Sequence, residues 1–219
     1  MSKVKSIIRK IFGHSIVINP IFDKIDYQKI SNGFAGGSLF DSNMLVISNR
    51  DIKVELNEIF AKERCHFQFI ITPNIINLGD LKKANQKFVG GIDHIINIFF
   101  FSREYNLLAD EYNKTDIIDV FYNTLKEESD YLVTSNIESS LCNVYIGDGS
   151  DNSDIEAASI KACVEGLGKP LGNHHLICNG LEVNRNVPLV DVANMAVYMS
   201  SKYGQILAGQ MIRMNSGIL

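Results

Sequence analysis

Two lysines decide what chemistry this sequence could do. Tyr198 and Lys202, in "VYMSSKYG", stand four residues apart. A lysine ammonium beside a phenol stabilises the phenolate and makes tyrosine a usable acid near neutral pH, one able to protonate an alkoxide as hydride reaches a carbonyl. The second lysine, Lys161 in "GSDNSDIEAASIKACVEGLG", has Ala157 four residues before it. Alanine has no proton to give. Upstream, Asp148 and Ser150 follow the apolar run "CNVYIG". A hydroxyl there could hold a carbonyl oxygen, whereas an ionised aspartate opposes negative charge growing on it.

The elements that position these residues are short β-branched runs separated by helix-length segments. The runs fall at 14–19, 43–48, 66–72, 92–101, 142–147, 174–179 and 210–215. Several are apolar almost throughout, which suits strands covered on both faces. Between them, 51–63, 78–89, 115–140, 155–168 and 190–203 are long enough for crossover helices. Such alternation predicts a parallel sheet wrapped by helices. With 219 residues and no internal repeat or linker, one domain spanning 1–219 is expected.

Composition narrows the partners. A formal charge of -4 gives no general reason to bind nucleic acid or an anionic membrane. No apolar stretch approaches the roughly 18 residues of a membrane span, and no secretory leader is evident, so a soluble cytoplasmic protein is expected. The four cysteines are widely spaced and read as buried thiols, and the five histidines form no metal-binding spacing.

The segment from Val192 to Leu219, with Val192-Ala193, Ser200-Ser201, Gly209-Gln210 and Gly217, resembles the closing segment of the short-chain dehydrogenase/reductase family, especially 3-oxoacyl-carrier-protein-reductase-like members. The resemblance implies a single Rossmann-like α/β domain: a mostly parallel, seven-stranded sheet of order 3-2-1-4-5-6-7, with helices on both faces. It places Asn123 at the family's helix asparagine and Lys161 at its catalytic lysine. The tyrosine position is then Ala157, and Asp148, with Ser150 as an alternative, falls at the family serine. Tyr198 and Lys202 belong to the last helix, because only 17 residues follow Lys202.

The cofactor side of the resemblance is eroded too. The family turns after its first strand on glycines, so that backbone amides reach a pyrophosphate. After "SIVIN" this chain continues "PIFDKIDYQKIS", residues 20–31, without glycine; Gly33, Gly36 and Gly37 come too late. Phe22 would obstruct the turn, and Asp23 and Asp26 would repel an anion. Asn97-Ile98-Phe99-Phe100 stands where the family has "NNAG", and "ICNGLEVNRNVPLVDVANM" lacks the family's Pro-Gly and mobile lid. No cofactor is therefore expected, neither NAD nor NADP.

The reading that follows is a degenerate, non-catalytic reductase-like subunit with a structural or regulatory role. It would act in a homo-oligomer, or in a hetero-oligomer with a catalytic reductase-like relative; likeness to carrier-protein reductases suggests acyl-chain or polyketide metabolism. Asn123 and Lys161 would be vestiges. Two alternatives stay open. One is an NAD(P)-dependent ketoreductase with displaced residues such as Asp148, Ser150 or Tyr145. The other is a small-ligand sensor contacted by Lys161 and Asn123.

Overall fold

The computed structural model describes residues 39–72, 77–101, 117–135 and 138–215, all within the compact unit Gly33–Leu219. Six strands appear in these residues: β1 (Asn43–Ser48), β2 (His66–Ile71), β3 (His94–Phe100), β4 (Ser139–Gly147), β5 (Leu176–Asn184) and β6 (Met211–Met214). They form one sheet of order β2-β1-β3-β4-β5-β6, every pairing parallel. The crossovers are α1 (Lys53–Lys62), α2 (Leu78–Asn85), α3 (Ile117–Ser135), α4 (Asp151–Gly172) and α5 (Leu189–Ser200), the last followed by a 3-10 turn at Lys202–Leu207.

The apolar runs become strands because both of their faces are covered. Every residue of β1 and β4 is buried, while β2 at the sheet edge is half-exposed. Alternate side chains serve two cores. Met44, Val46, Ile96 and Val144 pack with Leu56 and Phe60 of α1 and Val192, Ala196 and Met199 of α5. Leu45, Ile47, Ile95 and Leu141 pack with Leu81 of α2, Phe121, Leu125 and Leu132 of α3, and Ile160 and Val164 of α4. Helices therefore lie on both faces, as expected of a doubly wound sheet.

Two expectations need correction. The predicted strand at 14–19 lies outside the described residues, so the sheet has six described strands rather than seven. The family order also expects a strand between 43–48 and 94–100. Those two segments pair directly, with Val46 opposite Ile96 and Ile47 opposite Asn97. The strand next to β3, and hence the turn that matters for a nucleotide, is β1 and the residues after it. Both runs are short, apolar and β-branched, with crossover-length segments behind them, so local pattern could not choose between them.

A close approach ties α4 to the far edge. A Cβ on Gly168 would lie 2.5 Å from the Gly209 Cα and 3.0 Å from the Cys178 oxygen. Gly209, at φ 74, turns the chain into β6, and its N–H donates to the Cys178 oxygen at 2.8 Å.

Candidate functional site

In a doubly wound sheet the ligand crevice opens at the carboxyl ends of the strands, where the strand order reverses. Here that point lies between β1 and β3. The turn after β1 is Asn49-Arg50-Asp51-Ile52, which like 20–31 has no glycine. Asn49 Nδ2 donates to the Phe100 oxygen at 2.8 Å, and the Phe100 N–H donates to Asn49 Oδ1 at 2.9 Å. One side chain thus joins the ends of β1 and β3. The Arg50 guanidinium sits 5.1 Å from the centre of the Phe100 ring, a favourable cation–π distance.

Two backbone amides, one in this turn and one at the start of α1, are already engaged. The Arg50 N–H donates to Ser48 Oγ at 3.2 Å and the Lys53 N–H to Asp51 Oδ1 at 3.2 Å. Asp51 therefore places a carboxylate at the start of α1, where the helix dipole favours an anion. Residues 20–31, including Phe22, Asp23 and Asp26, lie outside the described residues.

At the end of β4, Asp148 Oδ1 accepts from the Ser150 N–H at 2.9 Å, and Ser150 Oγ accepts from the Ser153 N–H at 3.3 Å. Both side chains therefore shape the entry to α4, Ser150 as its N-cap. The Tyr145 hydroxyl donates to the Ser153 oxygen at 2.7 Å and lies 3.3 Å from Glu156 Oε2. Burial first, then the Glu156 charge, push the Tyr145 phenol well above its ordinary range. A catalytic tyrosine needs the opposite, a neighbouring cation.

The space beside these groups holds about 30 Å³, room for a water rather than a substrate. Arg213 of β6 lines it, with Nε 2.9 Å from Glu182 Oε1 and a terminal nitrogen 3.4 Å from Asp154 Oδ1. No lid follows β5: the strand ends at Asn184 and α5 begins at Leu189.

The structure does not bring the other predicted residues here. Lys161 lies eight residues along α4 from Ser153, about 12 Å down the axis. Its side chain is half-exposed, 3.9 Å from Glu165 in an i,i+4 pair. Asn123 is exposed on α3. Tyr198 packs against the core from α5, and the Lys202 ammonium lies 5.3 Å from the Tyr203 ring. Cys65, Cys142 and Cys178 are buried thiols, with Cys163 partly so.

One polar feature escaped the sequence reading. Asn97 and Asn143 face each other in the ladder, both pointing into the core under α3. Asn97 Nδ2 donates to Glu128 Oε2 at 2.6 Å and to Asn143 Oδ1 at 3.0 Å. Asn143 Nδ2 reaches the Asn179 oxygen at 3.4 Å. Glu128 is wholly buried, and burial pushes its carboxyl up to about 8, the bond from Asn97 opposing. The available signal was asparagine in the middle of two otherwise apolar strands.

No protein-family model matches the chain, and no curated protein matches it. Solved structures do. The enoyl-[acyl-carrier-protein] reductase (NADH) of Aquifex aeolicus is 15% identical, with a TM-score of 0.61 over 83% of this chain and 98% of that one. A putative short-chain dehydrogenase/reductase of Sinorhizobium meliloti is 14% identical, with a TM-score of 0.57 over 84% and 87%. A short chain dehydrogenase of Mycobacterium smegmatis is 9% identical, with a TM-score of 0.61 over 85% and 97%. At these identities the likeness is one of fold, and the fold is short-chain dehydrogenase/reductase-like. Among the described residues no helix is long and apolar enough to cross a membrane.

Proposed function

We propose that the chain is a non-catalytic, reductase-like subunit with a structural or regulatory role in an oligomer, made with itself or with a catalytic relative. The observation that carries this reading is the Asn49–Phe100 pairing, which spans the crevice a dinucleotide would enter. The residues do not fit a diphosphate. Two backbone amides, one in the turn and one at the start of α1, are already bonded, and Asp51 occupies the helix start with a negative charge. On the substrate side, Asp148 and Ser150 are spent on the turn, Tyr145 faces Glu156 rather than a lysine, and Lys161 is half-exposed along the helix.

The proposed contact surface is the outer face of α3 and α4. Tyr122 and Ile155 are exposed there at 44% and 65%, and Ala158 and Ala162 of α4 are exposed as well, small enough for close helix approach. Ala157 is excluded from it, being buried at 4%. An apolar strip of this kind favours association. An acyl-chain or polyketide setting rests on resemblance alone.

Titration calorimetry with NADH and NADPH, run beside sedimentation of the full chain alone and mixed with a reductase-like relative, tests the two halves separately. No binding tighter than about 100 µM is expected, since that affinity, roughly 5.5 kcal/mol, already marks a real site. An oligomer disrupted by Ala158→Arg is expected. A monodisperse monomer at tens of micromolar in both samples overturns the subunit reading, and tight NADH binding overturns the non-catalytic one.

A further inference from the structure

At the opposite end of the sheet from the crevice, the amino ends of β3, β4 and β5 meet the carboxyl end of α5 around a cleft of about 200 Å³. Its walls are built rather than loose. Asn179 Nδ2 donates to the Met199 and Gly204 oxygens at 3.1 and 3.2 Å, pinning the 3-10 turn to β5. Ser201 Oγ donates to the Tyr198 oxygen at 2.7 Å and accepts from the Tyr203 N–H at 3.2 Å. Gly204 is required by the turn, because a Cβ there would come within 2.3 Å of the Met199 oxygen. On the facing wall His94 Nδ1 is bonded to Ser140 Oγ at 2.8 Å.

Four features of the lining point to a ligand. The Ser139 and Ser200 hydroxyls are buried, 3% and 1% exposed, yet neither has an oxygen or nitrogen partner. The Ser200 hydroxyl is hydrogen-bonded with the Cys142 thiol, a weak partner. Buried hydroxyls without partners are uncommon and call for an explanation. Lys202 lines the same cleft, resting on the Tyr203 ring, with no carboxylate in ion-pair range among the described residues. His94 is held neutral near pH 7, since burial lowers it to about 4. Glu138 stands exposed at the edge, and Leu39, Phe40 and Ile177 supply an apolar side. The Phe40 ring is 65% exposed.

We infer that this cleft binds a small monocarboxylate with an apolar body. Its carboxylate would pair with the Lys202 ammonium and accept from the Ser200 hydroxyl, and its body would cover Phe40, Leu39 and Ile177. A single cation with Glu138 nearby suits one negative charge rather than two. The volume suits a ligand of benzoate size rather than a nucleotide. The site does not depend on the subunit reading, because it lies at the other end of the strands from the closed crevice and away from the exposed face of α3 and α4.

Benzoate is the probe, with benzamide as its neutral counterpart and inorganic phosphate as a dianion, each titrated into the full chain at pH 7 and constant ionic strength. Nitrogen–proton correlation spectra follow the amides of 200–205 and the His94 ring nitrogens. Benzoate is expected to shift both sets saturably in the low millimolar range or tighter, with benzamide and phosphate at least about tenfold weaker. Lys202→Met should weaken benzoate about tenfold and leave benzamide unchanged, and Ser200→Ala should weaken benzoate about threefold. The inference is overturned if benzoate produces no saturable shift up to about 20 mM. Equal binding of benzoate and benzamide, tighter binding of phosphate, or indifference to Lys202→Met overturns it equally.

Discussion

Asn97 and Glu128 meet at 2.6 Å inside the core, an amide donating to a carboxyl that has no salt bridge among the described residues. Glu128 Oε1, Asn97 Oδ1 and Thr124 Oγ1 are all buried without a hydrogen-bond partner. The cheapest state of such a carboxyl is the protonated one, and burial holds Glu128 to about 8.

Glu128 therefore makes the fold alkali-sensitive. Its carboxyl is raised in the folded chain, so between about 4.5 and about 8 the native state keeps a proton that the unfolded state has lost. The contribution of Glu128 to stability is full below that window, falls by about 1.4 kcal/mol per pH unit through it, and is flat above it. Glu128→Gln removes the titration and offers an amide N–H to one of the unpartnered oxygens. Urea unfolding from pH 6.5 to 8, above the range in which His94 titrates, should show a falling curve for the natural chain and a nearly level one for the variant, with the variant more stable at pH 8 by at least about 2 kcal/mol.

Asn49 ties two strand ends at the order reversal. Asn49→Ala leaves the Phe100 N–H and oxygen without these bonds, a loss of about 1–3 kcal/mol in urea unfolding. The variant should still fail to bind NADH in calorimetry, because Asp51 and the glycine-free turn remain.

Tyr145 ionises late. Its phenol is raised by burial and by Glu156, so the absorbance change at 295 nm between pH 7 and 10.5 should be the same in the natural chain and in Tyr145→Phe. An ordinary titration assigned to Tyr145 would mean that a cation reaches it, and would reopen the ketoreductase reading.

Gly168 marks where α4 passes over the chain entering β6. Gly168→Ala must move the Gly209 backbone, 2.5 Å from the new Cβ, and should lower stability by about 1–3 kcal/mol, the range for overpacking. Gly166, with open space around its Cβ position, serves as the control. Gly166→Ala should raise stability slightly through helix propensity, and differential scanning calorimetry reads both.

The sequence by itself determined the class of fold. Five of the predicted apolar runs reappear as β1, β2, β3, β4 and β6, and the run at 174–179 as the start of β5, because short, mostly apolar β-branched runs between helix-length segments suit strands covered on both faces. The alanine at 157 and the short passage from β5 to α5 were equally legible, since each depends on residue identity and local spacing alone. What tertiary structure decided was pairing. Only the ladder places Asn43–Ser48 against His94–Phe100, moving the critical turn from 20–31 to 49–52. Only the packing brings Asn49 to Phe100, Arg213 to Glu182, and Asn97 to Glu128 across 31 residues of chain. Local periodicity reports which face of an element is apolar, whereas the choice of neighbour is made by contacts between distant segments, and those leave little trace in either segment read alone.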